Sequence, residues 1–563
     1  MIYHCEDHTC NYWDEGEKLP ERCPQCGRKL LRANETDMTG DDWTALGNTL
    51  WDAEASDKKR MVDCFRKAAY LGSAWGVCNL GICMEQGNGV EADPVQAFWL
   101  YQQAVEMGSL NAVCCLGVCY QYGIGTAPDA EKAAELYCKA AEYGSPRGQM
   151  LLARAFHDGI GVEADAAEAV NWVRAAAYQR YGEGMHRLGV CYEYGDGVEQ
   201  NWEHAVHWFR EAAESGVSTA MTDLGYCYEK GCGVEQSWEQ AFSWYRRGAE
   251  CGYPVSMSNL GLCYKRGYGV DQNWQEAIKW YEQGAQCGHL QSMNNLACCY
   301  EDGEGVEQNE ERALYWYRRG AEAGSDYCMY CLGWNYSNGE GVEQNMTEAI
   351  RWYTAAAEGG NADAMHNLGW HYDHGEGVEQ DMKKAICWYE RAAEQNHPAA
   401  MNSLGECYAM GRGVPRDLET AMEWYRRAAE LGEAMADYNM GWHLEQAGKL
   451  SEAYAHYRKA ADGNDDSAWW ALGRFYENGV VVAQDGKEAR CCYETGEKLG
   501  SVKCKMRLAR CKLLGIGGRR AKKAGLDLCR QALELAKESS EKEDYGYEAE
   551  MNLLRRTIAE NES

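Results

Sequence analysis

The fold is decided by a stretch that the chain repeats, LGYCYEKGCGVEQSWEQAFSWYRRGAECG at residues 224–252. Its Gly-x-Gly motif occurs ten times, always 36 residues apart, with first glycines at Gly87, Gly123, Gly159, Gly195, Gly231, Gly267, Gly303, Gly339, Gly375 and Gly411. A fixed period of this length, with apolar residues on both sides of the glycines, is typical of stacked pairs of antiparallel helices. The sequence therefore predicts an all-α solenoid of helical hairpins.

A small residue, which we call the anchor, marks the first helix of each unit. Between residues 81 and 441 it recurs every 36 residues, and the flanking steps are 34, 32 and 36 residues. The anchors are Gly47, Gly81, Gly117, Ala153, Gly189, Gly225, Gly261, Ala297, Gly333, Gly369, Gly405, Gly441, Gly473 and Ala509. Their number predicts about fourteen hairpins.

Each unit also carries signals that end its first helix and begin its second. The Gly-x-Gly motif ends the first helix, because a residue past a helix C-terminus adopts positive φ. Six residues later stands a good N-capping residue, namely Asp93, Asp129, Asp165, Asn201, Ser237, Asn273, Asn309, Asn345, Asp381 or Asp417. Tryptophans stand seven residues after this cap, and we expect each to be a core wedge, that is, a large side chain packed between the two helices of its hairpin. They are Trp172, Trp208, Trp244, Trp280, Trp316, Trp352, Trp388 and Trp424.

The composition restricts the possible partners and the compartment. A net charge of −31 argues against nucleic acid as a general partner. The sequence has no apolar run that could cross a bilayer and does not start like a signal peptide, so we expect a cytoplasmic protein. Many of its 28 cysteines share a position two residues after an anchor and are expected to be reduced core residues, among them Cys83, Cys119, Cys191, Cys227, Cys263, Cys299 and Cys407.

The first 32 residues have a different pattern. Cys5 and Cys10 form one pair, and Cys23-Pro-Gln-Cys26 followed by glycine forms a second. Two such pairs predict a tetrahedral, structural Zn²⁺ site, with iron or no metal as the alternatives. His8 is an alternative to Cys10, because the first spacer is wider than usual. The segment resembles a zinc ribbon or a rubredoxin-like knuckle.

The pattern of small anchor, tyrosine, Gly-x-Gly-Val, alanine and Trp-Tyr resembles the Sel1-like repeat, a subclass of the tetratricopeptide superfamily. The resemblance implies a right-handed superhelix whose first helices line a concave face, and relatives that act as bacterial or eukaryotic adaptors. The expected organisation is a zinc ribbon at 1–32, a linker at 33–42, repeats at 43–530 and a C-terminal capping helix and tail at 531–563.

The same resemblance places certain positions next to the anchor in a partner-binding groove. On this chain the candidates are Asn259, Asn295, Tyr330, Trp334, His366, Asn367 and Trp370. Asparagine can hold a peptide backbone through its paired donor and acceptor groups, and exposed tryptophan is a common binding hot spot. The alternative is that these asparagines and tryptophans pack between neighbouring repeats. The favoured function is therefore an intracellular, bacterial scaffold that binds a protein or extended peptide and catalyses nothing.

Two other functions stay open from the sequence. A hydrolase or redox accessory would use His366, His371 and His374 with Asp373, or the adjacent cysteines 114–115, 298–299 and 491–492. We interpret the histidines as solvent-exposed and the cysteines as ordinary helix positions. Nucleic-acid contact would use the zinc ribbon and the nine basic residues between 503 and 523. We interpret that basic patch as solvated and balanced by Glu538, Glu541 and Glu543.

Overall fold

The structure, a computed structural model, describes residues 2–5, 13–15, 30–33, 38–51, 55–542 and 547–562. Three strands come first: β1 (Ile2–Cys5), β2 (Trp13–Glu15) and β3 (Leu30–Ala33). Both neighbours pair antiparallel with β1, in the order β2-β1-β3. Cys10, Cys23, Cys26 and the alternative ligand His8 lie outside the described residues, whereas Cys5 ends β1.

Twenty-nine helices follow in the described residues, and the first twenty-eight form fourteen successive pairs. The first helices are α1 (Gly40–Thr49), α3 (Ala74–Gln86), α5 (Leu110–Tyr122), α7 (Pro146–Asp158), α9 (Gly182–Tyr194), α11 (Ser218–Lys230), α13 (Pro254–Arg266), α15 (Leu290–Asp302), α17 (Asp326–Asn338), α19 (Ala362–His374), α21 (Pro398–Met410), α23 (Ala434–Gln446), α25 (Asp466–Asn478) and α27 (Val502–Leu514). The second helices are α2 (Ala55–Tyr70), α4 (Pro94–Glu106), α6 (Ala130–Glu142), α8 (Ala166–Tyr178), α10 (Trp202–Glu214), α12 (Trp238–Glu250), α14 (Trp274–Gln286), α16 (Glu310–Glu322), α18 (Met346–Glu358), α20 (Met382–Glu394), α22 (Leu418–Glu430), α24 (Leu450–Asp462), α26 (Gly486–Lys498) and α28 (Lys522–Lys542).

A last helix, α29 (Glu548–Glu562), follows the fourteen pairs. The chain divides into two compact units, residues 1–292 and residues 293–563, and both are built from such helix pairs. The all-α repeat fold predicted from the sequence is confirmed. None of the described helices is long and apolar enough to cross a membrane.

In twelve of the fourteen hairpins the large side chain between the two helices is a tyrosine or phenylalanine, which corrects the prediction of tryptophan wedges, although Trp244 is also buried. In the α7–α8 hairpin the same position is Val173. Among the largest fully buried side chains are Phe65, Tyr101, Tyr137, Phe209, Tyr245, Tyr281, Tyr317, Tyr353, Tyr389, Tyr425, Tyr457 and Tyr493. Their rings fill the space that a Cβ on the anchor glycine would occupy, as Tyr389 does at Gly369. The tryptophans stand one residue earlier, about 100° around the helix. Trp388, for example, is only half-buried, and the guanidinium of Arg391 lies 4.3 Å from its ring centroid.

The two loop glycines have different roles. The first ends its helix in the left-handed conformation, as Gly339 does with φ 76°. The second also has positive φ and lies against the start of the preceding unit's second helix. A Cβ on Gly269 would overlap the carbonyl oxygen of Trp238, and one on Gly413 would come within 2.7 Å of the Met382 Cβ. The motif therefore needs both glycines, one for the turn and one for a close approach between neighbours.

The predicted N-caps are confirmed, since each of the ten residues accepts a hydrogen bond from a backbone N–H in the first turn of its helix. The cysteines two residues after the anchor are buried as predicted, and none of the cysteines from Cys64 to Cys529 forms a disulfide. Burial raises the pKa of Cys83 to about 11 and that of Cys227 to about 12. These thiols are therefore small apolar parts of the core.

The C-terminal end differs from the sequence interpretation. The helix α28 runs through residue 530, where the sequence analysis placed a boundary. Within the basic patch, Arg507 is largely buried, and its Nε and Nη2 each donate to the Glu550 carboxylate at 2.7 Å. Arg507 and Arg510 also pair with Glu477. Two of the nine basic residues are thus neutralised by Glu477 and Glu550, while the side chains of Glu538, Glu541 and Glu543 lie outside the described residues.

The linker prediction is also corrected at its end. The helix α1 begins at Gly40, inside the predicted linker of residues 33–42. Thr39 and Asp42 form a capping box there: the Thr39 hydroxyl accepts from the Asp42 N–H, and the Asp42 carboxylate accepts from the Thr39 N–H at 2.8 Å. Reciprocal capping fixes this helix start.

Candidate functional site

Four of the seven predicted partner-binding residues line one cleft in the second unit. Trp334 on α17 and Trp370, His366 and Asn367 on α19 surround a space of about 400 Å³. The two indoles are 44% and 39% exposed. They lie one residue after the anchors Gly333 and Gly369, which face the buried tyrosine rings, so this position turns the indoles away from the core.

The ring of Trp370 is held in place by its own helix. It stacks on His374, with the ring centroids 4.3 Å apart, and meets the edge of His371 at 5.2 Å. Nδ1 of His374 lies 2.9 Å from the carbonyl oxygen of Trp370, and this contact fixes the orientation of the His374 ring. An aromatic surface that is already ordered loses little entropy when a partner binds.

The side chain of Asn367 lies next to the side chains of Tyr330, Tyr353 and His366 and influences the pKa of each. Burial raises the pKa of Tyr330, and the Asn367 hydrogen bond acts in the opposite direction. Tyr330 itself is half-buried and packs at 6.1 Å against the ring of Tyr353. Asn367 thus belongs to the wall of the cleft, whereas Tyr330 does not line it and packs behind this wall against Tyr353.

The two remaining candidates lie elsewhere. Asn259 is a half-buried residue of α13 in the first unit, and Asn295 is a half-buried residue of α15 in the second. Neither is among the described residues that line the cleft. The sequence analysis missed Trp442, which has the position after anchor Gly441 and is 38% exposed. The same spacing that identified Trp334 and Trp370 would have found it.

His374 is exposed as the sequence interpretation expected, whereas His366 is half-buried and His371 is buried. His371 is buried at 3% exposure, and its Nδ1 lies 3.0 Å from the carbonyl oxygen of Glu376. Asp373 is also buried and pairs with Arg412 at 3.0 Å. In the part of the chain that the structure describes, no three His, Cys, Asp or Glu side chains converge as metal ligands would. His371 and His374 both contact the ring of Trp370, and His371 also lines the cleft.

The adjacent cysteines do not form disulfides in the described chain. Cys491 is exposed while Cys492 is buried, as expected for neighbouring helix positions. Cys298 is half-buried and lies 3.6 Å from the Tyr317 hydroxyl, whereas Cys299 is buried. These contacts are those of packing residues.

His366 has a strongly altered acidity. Burial lowers its pKa to about 4, and the nearby charge of His397 acts in the same direction. The two imidazoles stack with their centroids 5.1 Å apart, and Nε2 of His397 lies 3.1 Å from the Asp363 carboxylate. His366 is therefore a neutral side chain at pH 7.

We expect this histidine to make the α19 hairpin less stable in acid. Between pH 6.5 and 4 the unfolded chain binds a proton on His366 that the folded chain does not, so the stability falls as the pH falls through this range. The loss should approach about 3 kcal/mol at pH 4 and be absent above pH 7. His366→Asn, which introduces the residue found at the equivalent position 402, should remove this part of the pH dependence. Urea unfolding followed by hydrogen exchange of α19 at several pH values measures it. Equal pH profiles for both proteins would contradict the expectation.

The charges around the cleft are distributed unequally. The segments 293–309, 326–345 and 362–381, which contain first-helix residues and the following loops, have no lysine or arginine. The segments 326–345 and 362–381 together carry eight carboxylates. Arginines and lysines of this region stand on the second helices instead, at Arg312, Arg318, Arg319, Arg351, Lys383, Lys384 and Arg391. The first-helix side therefore carries an excess of negative charge.

Twelve segments of the chain match the Sel1 repeat, at residues 76–109, 112–145, 146–181, 182–217, 218–253, 254–289, 290–325, 326–361, 362–397, 398–433, 434–465 and 468–501. The chain belongs to the Sel1 repeat family. The Sel1 match begins after the first hairpin and ends before α27, and the cleft lies within the repeats 326–361 and 362–397.

Solved Sel1 structures are similar to this chain. A protective antigen of uropathogenic Escherichia coli, described as displaying an SLR fold, is 30% identical with a TM-score of 0.52, covering 85% of this chain and 97% of the antigen. A Sel1 repeat protein of Oxalobacter formigenes is 27% identical with a TM-score of 0.43, covering 58% of this chain and 92% of that one. Among curated proteins, no sequence matches this chain significantly.

Proposed function

We propose that this Sel1 repeat protein is a non-catalytic scaffold that binds a protein or extended peptide along its first helices. The observation that carries the proposal is the cleft with two exposed, oriented indoles on adjacent repeats, Trp334 and Trp370. Exposed tryptophans that are already held in one conformation are the residues that dominate binding energies at interfaces. The repeat period sets both at the same helical position, so one extended ligand can contact both.

The family supports the general role, because helical repeats of this kind commonly serve as interaction scaffolds. Of the residues named in the enzymatic alternative, His371 and Cys298 make contacts within the repeats, which supports a structural role for them. A cytoplasmic location and a bacterial source belong to the proposal as well. The partner is expected to lie on the first-helix side, where Trp442 offers a further aromatic contact in the same register.

Replacing both indoles should abolish partner capture and leave the fold intact. We would compare the full chain with Trp334→Leu/Trp370→Leu in an affinity pull-down from native lysate. Leucine is the residue that this chain carries at the equivalent position 262, and it preserves an apolar surface. The matched control is Trp99→Leu, which changes a 66% exposed tryptophan on α4.

The proposal requires that a partner bound by the wild-type chain and by Trp99→Leu is lost from the double variant. The unfolding midpoint of the double variant should shift by no more than that of the control, because both indoles are largely outside the core. A partner retained by the double variant would exclude this cleft as the binding site.

We further propose that Cys5, Cys10, Cys23 and Cys26 hold a structural Zn²⁺ ion. The sheet register supports it: Cys5 pairs with Leu30 and His4 pairs with Trp13. Leu30 is four residues from Cys26, and Trp13 is three residues from Cys10, so the chain can separate these pairs by no more than about 14 Å. The end of β1 that carries Cys5 is thus paired with the starts of β2 and β3, which follow Cys10 and Cys26 in the sequence. Zn²⁺ bound by four thiolates would supply folding energy to this short segment.

Metal analysis of the purified full chain tests the zinc site. We expect one zinc per chain, and Cys26→Ser should remove it without unfolding the helical repeats. Elemental analysis that finds iron would change the identity of the metal. Protein without any stoichiometric metal would contradict the proposal.

A further inference from the structure

We propose that the cleft between Trp334 and Trp370 takes the positively charged side chain of an arginine- or lysine-rich segment of a partner protein. This inference rests on the proposed function and adds the chemistry of the partner. It follows from three properties of the cleft: exposed aromatic faces, an excess of carboxylates and the absence of a competing cation.

The aromatic faces are the first property. A guanidinium or ammonium group is attracted to the face of an indole, and more strongly when it is partly removed from water. The chain itself uses this contact on its second helices, where the guanidinium of Arg391 lies 4.3 Å from the Trp388 ring and that of Arg427 lies 4.4 Å from the Trp424 ring. Trp334 and Trp370 carry the same ring in an exposed position.

The carboxylates are the second property. Glu376 lines the cleft and is exposed, and it follows Trp370 by six residues in the loop after α19. Glu340 occupies the same place in the preceding loop. A cation resting on the indole would find a carboxylate near the rim, which is the arrangement expected to favour a basic peptide over a neutral or acidic one.

The absence of a competing cation is the third property. Among the described residues that line the cleft there is no lysine or arginine. Its two histidines, His366 and His371, are kept neutral at pH 7 because burial lowers the pKa of both. Arg412, in the loop after α21, is paired with the buried Asp373 and with Glu406. The positive charge that this surface lacks must come from the partner.

The other occupant to consider is an apolar or aromatic side chain, which would also bind two indoles. Binding of a cationic side chain depends on its charge, whereas binding of an apolar or aromatic side chain does not. A peptide with citrulline in place of arginine keeps the planar shape and the hydrogen-bonding groups but loses the charge, so it separates a cationic ligand from one that binds by shape alone.

The test uses the full chain and a fluorescein-labelled peptide with four Gly-Arg-Ser repeats, titrated by fluorescence anisotropy at 150 mM salt. The second probe is the same peptide with citrulline at every arginine. We expect the arginine peptide to bind about tenfold more tightly. Trp334→Leu/Trp370→Leu should reduce its affinity about tenfold or more, and Glu376→Gln about two- to fivefold. Trp99→Leu should leave it unchanged.

Because the chain has a net charge of −31, some attraction of any basic peptide is expected everywhere on its surface. The change in affinity caused by the two tryptophan substitutions therefore distinguishes binding in the cleft from general attraction to the acidic surface. Equal affinity of the arginine and citrulline peptides, or an arginine affinity that the double variant and Glu376→Gln leave unchanged, would overturn the inference. Glu376→Gln keeps both indoles, so it tests the charge even where the double variant is destabilised.

The inference and the proposed function fail in different ways. If the lysate partner is lost from Trp334→Leu/Trp370→Leu but the arginine peptide does not distinguish this variant from wild type, the cleft binds a partner that is not cationic. If the double variant retains the lysate partner, the proposed function, which is partner binding in this cleft, is wrong.

Discussion

Tyr389→Ala should destabilise its hairpin by about 3–5 kcal/mol, the cost of removing a large aromatic ring from a packed core. Tyr389 is 1% exposed and its ring fills the space beside Gly369, so its removal leaves a cavity between α19 and α20. Because each repeat depends on its neighbours, the loss should be concentrated in this hairpin and weaken with distance along the chain. Hydrogen exchange of peptides from α19 and α20 measures it directly.

The neighbouring tryptophan is the control within the same turn of helix. Trp388 is half-buried and partly covered by Arg391, so Trp388→Ala should cost only about 1–2 kcal/mol. A larger loss for Trp388→Ala than for Tyr389→Ala would mean that tryptophan is the wedge after all. Circular dichroism of both variants would show whether the remaining repeats stay helical.

Glu550→Gln should release the last helix. Its carboxylate accepts two hydrogen bonds from Arg507, and both side chains are nearly buried. Although burial alone lowers the pKa of Arg507, pairing with Glu550 raises it, so the guanidinium stays charged and needs a partner. Removing one member of such a pair leaves an incompletely compensated buried charge and should cost about 3 kcal/mol. In the variant, Arg507 still has its ion pair with Glu477, which lies 3.3 Å away.

The expected result is faster hydrogen exchange throughout α29, with the repeats before α25 unaffected. Glu548→Gln on the same helix is the matched control, because that residue is exposed. If α29 keeps its protection in Glu550→Gln, the apolar contacts of Met551 and Leu554 are sufficient to hold it.

The helical repeat was predictable because its signals are local. A glycine with positive φ, a capping side chain and a buried alanine each act within a few residues, and the 36-residue period repeats them ten times. The wedge was misassigned between Trp388 and Tyr389 because both recur with the same period. Only the approach of Tyr389 to Gly369 shows which ring faces the core.

The candidate site was predictable in part for a similar reason. The position after the anchor identified Trp334 and Trp370 from spacing alone, and the structure brings them to one cleft with His366 and Asn367. The burial of His371 and the pairing of Asp373 with Arg412 depend on residues of different repeats. The same holds for Arg507 and Glu550, which are 43 residues apart. No periodic signal marks such pairs.

The close approach made by the second loop glycine has a consequence for how such a chain can diversify. Where Gly269 meets the backbone of Trp238, the fit between neighbouring units depends on main-chain atoms and a missing side chain. The residue after each anchor takes no part in that fit, and it is Ile82, Val118, Tyr226, Leu262, Trp370 or Glu406 in different units. On the proposed function, a substitution at this position would change the binding surface while leaving the backbone contact made by the loop glycine as it is.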